Sequence, residues 1–266
     1  DSDFTSSAII TNPITTEIDT FTQEIRLTSL GGETVDWMVG AFYFDESIDY
    51  KNDLPFGSNY RNYLDALTLA LGAPNAIGGI EQALGLPVGG AFGQVGQGVT
   101  EEATLDNQAL SIFGQLDWQV SEQLTAPLGL NYTQDEKDSA IEQTRGDAFS
   151  AIDFVQLGGG LIFQQLVGAG VPADIAAAQA AALSTTAANP LLGLQALQFL
   201  PPLVAYPNAV EDGQSDDSEL TYTFRLAYDV NEDISVYGGI STGFKASSWN
   251  LSRDAKPTPG DIDAIR

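Results

Sequence analysis

Cysteine and histidine are both absent from the 266 residues. No disulfide framework and no Cys/His zinc site can form without them, and Ser-His-Asp or Cys-His catalysis lacks its base. Positive charge is scarce: 10 Lys and Arg stand against 36 Asp and Glu, a net charge of −26. Nucleic acid is a poor partner for such a chain, because phosphates need clustered cations. An excess of carboxylates suits solvation, divalent cations or cationic ligands. Long apolar runs are missing as well: Gln, Asn, Ser, Gly or Pro interrupts each low-polarity stretch, short of the roughly 18 to 20 residues of a spanning helix. The first residue is not Met, and no basic-then-apolar leader follows it. The chain is expected to begin after processing or to be a piece of something longer. At the other end, Pro257-Thr258-Pro259-Gly260-Asp261 reads as the start of a loop.

What is present in quantity is alternation. Leu220, Tyr222, Phe224, Leu226, Tyr228 and Val230 fall on one face of a strand, and Thr221, Thr223, Arg225, Ala227 and Asp229 on the other. A strand with one apolar and one polar face needs oil on one side and water on the other. The pattern recurs. Phe21, Ile25 and Leu27 alternate with polar residues, although Gln23 breaks the apolar face. A turn at 30–34 leads to a strand over 35–49 with Trp37, Val39, Ala41 and Tyr43 on one face. Phe42 and Phe44 lie on its opposite face, where a plug or a neighbouring loop would meet them. A third strand, 105–120, carries Leu110, Ile112, Leu116, Trp118 and Val120. Past the turn Ser121-Glu122-Gln123, its partner carries Leu124, Ala126, Leu128, Leu130 and Tyr132. Pro127 removes a ladder donor there, for which a bulge is the expected accommodation. The last hairpin joins the Leu220 strand through Asn231-Glu232-Asp233 to a strand over 234–249.

Two long insertions interrupt this series, at 51–103 and 139–215. Helices are expected at 62–71, 80–84, 173–183 and 191–200, the third from its Ala-rich composition. About six strands thus form three hairpins closed by short turns and linked by two long, partly helical loops. Strand direction alternates, so short turns gather at one end and long loops at the other. The expected fold is all-β: an antiparallel up-and-down transmembrane β-barrel segment, with the long loops extracellular. Trp37, Trp118, Tyr228 and Tyr237 each sit three or four residues from a short turn, the level of an interfacial girdle. Tyr237 is out of phase with Val236 and Ile240.

Several stretches resemble one family. Phe21-Thr22-Gln23-Glu24-Ile25-Arg26-Leu27-Thr28-Ser29 resembles a characteristic strand of the TonB-dependent outer-membrane receptors. Asp36-Trp37-Met38-Val39-Gly40-Ala41-Phe42-Tyr43-Phe44 is similar to the strand that follows it. Phe113-Gly114-Gln115-Leu116-Asp117-Trp118, and Leu130-Asn131-Tyr132-Thr133-Gln134-Asp135-Glu136-Lys137, resemble the next hairpin. Val236-Tyr237 with Ser241-Thr242-Gly243-Phe244-Lys245-Ala246-Ser247 resembles a later strand. These matches touch all three hairpins; the long loops match nothing. The resemblance implies a middle section of barrel wall in the outer membrane of a Gram-negative bacterium, without its plug and coupling box, and six strands cannot close such a barrel. It also implies active uptake of a bulky, scarce solute such as a siderophore, vitamin or glycan, with a TonB-type energy-coupling partner acting through the plug. No enzyme is expected: paired carboxylates such as Asp216 and Asp217 could do acid–base work, but nothing pairs them with a nucleophile or a pocket. The rival expectation is a non-transporting structural or surface interaction protein that assembles with copies of itself through open sheet edges.

Carboxylates cluster where the strands are expected to meet the long loops. Asp45, Glu46, Asp49, Asp135, Glu136 and Asp138 form the expected acidic rim. Asp212, Asp216, Asp217 and Glu219 are candidate ligands for a divalent cation, although they lack EF-hand spacing. Such an ion would bridge the rim to lipid phosphates or to a ligand; solvated strand ends are the plainer account. No cofactor is expected. On the insertions, Phe56, Tyr60, Tyr63, Phe154, Phe163, Phe199 and Tyr206 are candidate solute contacts by location, or else pack the loops' own cores.

Overall fold

The computed structural model describes residues 7–32, 34–198, 204–249 and 251. Six strands lie side by side in chain order as one antiparallel sheet. They are β1 (Ile14–Thr28), β2 (Val35–Pro55), β3 (Gly98–Ser121), β4 (Leu124–Arg145), β5 (Gln214–Asn231) and β6 (Ile234–Ser241). Every strand pairs with its sequence neighbour, the up-and-down arrangement expected of this alternation. Strands β1 and β6 are the open edges of the sheet.

The central strands run further than their apolar alternation. β2 continues to Pro55 and β3 begins at Gly98, so the first excursion is 56–97 rather than 51–103. β4 continues to Arg145, and the second excursion is 146–213 rather than 139–215. Period-two hydropathy vanishes where both faces of a strand are wet, whereas backbone pairing does not depend on it. The 24 residues of β3 extend about 80 Å at ~3.4 Å each, far beyond an apolar band of roughly 25 Å. β6 differs in the other direction: it ends at Ser241, not at 249.

Pro127 causes no bulge. It sits opposite Asp117 in unbroken register with β3. On its other side, pairing with β5 passes from Thr125 to Leu128 with the register unchanged. The sheet accepts the missing donor by leaving rungs out. The register shift in this hairpin falls at the turn, between Gln119 and Ser121.

The two excursions pack on each other as one small helical cap. The first supplies α1 (Tyr60–Ala70) and α2 (Ala76–Ala83). The second supplies α3 (Phe154–Gly168), α4 (Ala173–Leu183) and a 3-10 turn, Leu192–Leu197. Phe56, Tyr60, Leu64, Ile77, Ile80 and Phe92 share a core with Phe149, Phe154 and Leu194. The rings of Phe56 and Tyr60 stack at 3.6 Å between centroids. Phe92 meets Phe149 edge-on at 5.7 Å, an aromatic contact that joins the two excursions.

Helix α3 is additional to the helices expected, and it contains Gly158, Gly159 and Gly160, residues of low helix propensity. The structure gives a reason for Gly158: a Cβ there would strike the Asn189 carboxamide. That carboxamide is fixed in place. Its Nδ2 donates to the Phe154 and Ser184 carbonyls at 2.9 and 2.8 Å, and its Oδ1 accepts from the Leu191 amide at 2.9 Å. Asp153 caps the helix by accepting from the Gln156 amide at 2.9 Å.

Glu81 holds the first excursion together from inside. It is fully buried, and Arg61 grips it with two nitrogens, at 2.7 and 3.1 Å. The amides of Gly89, Ala91 and Phe92 donate to the same carboxylate at 2.6, 3.1 and 3.1 Å. Burial alone would raise its pKa; the Arg61 and amide hydrogen bonds outweigh burial and lower it from 4.5 to about 2. The ion pair organises the Gly-rich 85–98 segment, where no phosphate-binding role is needed to explain the glycines. Gly89 and Gly93 have left-handed φ of 80° and 67°.

Because the folded pKa of Glu81 is depressed, its contribution is complete above pH 4.5 and is lost as pH falls toward 2. That shift corresponds to roughly 3 kcal/mol. Glu81→Gln is expected to open the 85–98 segment to limited proteolysis at neutral pH, and acid is expected to do the same to the unaltered chain as pH drops below about 4. Gly158→Ala is expected to destabilise the α3–Asn189 packing by about 1 to 3 kcal/mol, read as a rise in amide exchange over 154–191.

Candidate functional site

Alternation and register together decide what each face of the wall presents. One row of cross-strand partners is Ile25, Ala41, Ile112, Tyr132 and Leu220. The next is Leu27, Val39, Gly114, Leu130 and Tyr222, and the one below it Trp37, Leu116, Leu128, Phe224 and Ile240. All of these share one face, so an apolar belt crosses the whole sheet. Its large side chains are solvent-accessible, from 36% for Leu116 to 65% for Ile25. An apolar surface continuous over six strands lies far outside what a water-soluble monomer exposes.

The other face is polar along the same span. Ser111 and Thr133 hydroxyls lie 2.8 Å apart, and Asn131 donates to Thr133 at 3.0 Å. Gln115 donates to Asp117 at 2.9 Å, and Thr125 to Gln119 at 3.0 Å. Phe42, Phe44 and Phe113 are aromatic exceptions on this face. Phe113 lies across Gly40, where a Cβ would come within 2.5 Å of its ring. The Arg26 guanidinium, which also pairs with Glu24, stands 5.9 Å from the Phe113 ring centre.

Aromatic residues mark two levels of the belt. Trp37, Trp118 and Tyr228 lie on its face near the short turns. Tyr237 does not belong with them. It pairs with Ala227 on the polar face, and the Arg225 guanidinium sits 4.2 Å over its ring. The second level, toward the long loops, consists of Phe21, Tyr43 and Tyr132, with Phe21 and Tyr43 rings 6.3 Å apart. The signal for it was available, since Tyr43 and Tyr132 end their apolar runs as Trp37 and Trp118 begin theirs. Tyr43 donates its hydroxyl to Asp45 at 2.8 Å, where the belt gives way to acid.

The rim carboxylates lie within the strands, not at their ends, and alternation divides them. Asp45, Asp49, Glu136 and Asp138 continue the belt face, whereas Glu46 and Asp135 point to the polar face. Strand alternation likewise separates the cation candidates: Asp216 is on the belt face, Asp217 and Glu219 on the other, and Asp212 in the turn before β5 accepts from the Gln214 amide at 3.0 Å. Among the described residues no group of three acidic side chains is arranged to hold a metal ion. Lys137 bonds Asp135 on the polar face.

Most of the loop aromatics are structural. Phe56, Tyr60 and Phe154 are buried in the cap, and Tyr206 packs with Ala103 and Ile141 against the polar face of the wall. Tyr63 is 44% exposed. Phe163 borders a shallow apolar depression between α3 and α4. Phe199 lies outside the described residues.

The family model for TonB dependent receptor-like β-barrels matches residues 2–264. The chain belongs to that family. TonB-dependent receptors are transporters of the Gram-negative outer membrane rather than enzymes. The crystal structure of the ferric yersiniabactin uptake receptor FyuA from Yersinia pestis is similar, at 11% identity and a TM-score of 0.44. The match covers 87% of this chain and 22% of that one. The comparison with curated proteins gives no match.

Single-tryptophan variants of this three-tryptophan chain test the two faces. Brominated lipid in bilayers is expected to quench Trp37 and Trp118 and to spare Trp249, which stacks on Tyr206 over the polar face. Equal quenching of all three would contradict the assignment of faces.

Proposed function

We propose that this chain forms part of the wall and two outer loops of an outer-membrane receptor for active uptake of a bulky, scarce solute in a Gram-negative bacterium. The observation that carries the reading is the belt: one face apolar across six strands between two aromatic levels, the other hydrogen-bonded and polar. That division is what lipid on one side and a watery lumen on the other require. The siderophores, vitamins and glycans taken up by this class of receptor are the solute classes in view. Energy would come from a TonB-type partner acting through a plug, which the polar face with Phe42, Phe44 and Phe113 would contact. Edges β1 and β6 would pair with further strands of the same wall.

The cap shapes what the loops could offer a solute. Its aromatic core is closed, so a solute would meet the outer surface, with Tyr63 and Phe163 the most accessible rings among the described residues of the cap, or the polar face beneath.

The absence of cysteine makes a direct test simple. Leu130→Cys and Asn131→Cys place one thiol on each face. In lipid bilayers a water-soluble maleimide is expected to label Cys at 131 and not at 130. Equal labelling of both sites would sink the membrane reading and favour a sheet that assembles through its edges.

A further inference from the structure

The ladder between β5 and β6 stops at Thr223–Ser241, although β5 itself reaches up to Gln214. Its upper edge is left without a neighbouring strand. The residues after Ser241 nevertheless stay close to it. The Thr242 amide donates to the Tyr222 carbonyl at 2.9 Å, and the Tyr222 amide to the Thr242 hydroxyl at 3.0 Å. The Ser247 amide donates to the Asp217 carboxylate at 2.8 Å. Continuing one for one from Thr223–Ser241 puts Thr242 opposite Tyr222 and Ser247 opposite Asp217, which is where both are found. The segment is held in register at two points and unladdered between them.

The same register pairs Trp249 with Ser215. The Trp249 Nε1 and the Ser215 Oγ are both buried and without a hydrogen-bond partner. One is a donor only and the other an acceptor, and closing the strand brings them side by side. It also sets Lys245 opposite Glu219 on the polar face. Phe244 would stand opposite Leu220 on the belt, in the row of Ile25, Ala41 and Ile112. In water that move exposes a ring beside the already exposed Leu220; in hydrocarbon it is favourable.

We propose that residues 242–249 are the upper half of β6 and close onto the free edge of β5 when the belt enters a bilayer, Phe244 docking into lipid as they do so. The inference rests on the membrane reading above. Its test is a cysteine pair in an otherwise cysteine-free chain. In dioleoylphosphatidylcholine vesicles, Glu219→Cys with Lys245→Cys is expected to form a disulfide, and the one-residue offset, Glu219→Cys with Ala246→Cys, is expected not to, because its side chains point to opposite faces. Adding Phe244→Asp to the first pair is expected to abolish its disulfide. In the unaltered chain, amide exchange over 243–248 is expected to slow to that of Ile234–Ser241. Equal yields from both pairs, or fast exchange over 243–248 while Ile234–Ser241 is protected, would overturn the closure. If position 130 is shielded from aqueous maleimide under the same conditions, only the closure falls; if it is labelled, both readings fall.

Discussion

The structure depends on register. Side chains alternate between faces, so a slip of one residue in β3 against its neighbours would put Gln115 and Asp117 on the belt face and Leu116 on the polar one. The pairing admits no such slip along the belt. Leu27–Val39–Gly114–Leu130–Tyr222 and its neighbouring rows stay aligned across four interfaces each. Even Pro127, which removes a donor, costs rungs and not alignment. The irregularities fall at the short turns, at Gln119/Ser121 and Asp229/Asn231, outside the three rows of the belt. The tight turns thus absorb the adjustments, and the belt stays in step.

Those same rules explain what was legible in the sequence. Strand identity, order and the two loop excursions follow from period-two hydropathy and turn residues, and the structure places all six strands where that signal lies. Strand length was hidden. Above Tyr43 and Tyr132 both faces are polar, so the upper parts of β2, β3 and β4 carry no period and read as loop. Tyr237 misled because its distance from the turn fits a girdle while its parity does not, and parity decides. Helix α3 was hidden by three consecutive glycines, of which Gly158 serves close packing against a carboxamide 31 residues further on in sequence, a contact no local rule reports.

The cap answers to a different constraint. Its helices are short, and 11-residue helices such as α1 and α4 are marginal alone. Joint burial of Phe56, Phe92, Phe149 and Phe154 supplies what each excursion lacks. The buried Arg61–Glu81 pair adds direction where apolar burial cannot. It ties α1 to α2 and turns three amides of a Gly-rich segment inward. A buried carboxylate without those donors would be strongly unfavourable, so the segment's path and the charge require each other.

Charge also fixes where the belt can end. Beyond it, acids stand directly opposite acids: Glu17 and Asp49, Glu102 and Glu142, Asp106 and Asp138, Asp135 and Asp217, Glu136 and Asp216. Two unit charges about 5 Å apart repel by only ~0.8 kcal/mol in water, and by many times that where the dielectric is low. Scarce cations soften some of these contacts, as Lys51 does 3.3 Å from Glu102 and Lys137 does beside Asp135. Such pairs are tolerable in a continuous ladder only with water on both faces. A single residue, Phe44, separates Tyr43, the last ring of the belt on β2, from Asp45, the first acid, and the Tyr43 hydroxyl bridges them. The change from apolar to acidic wall on that strand therefore occurs within a single pleat, set by the dielectric that carboxylates can bear and not by any break in the backbone.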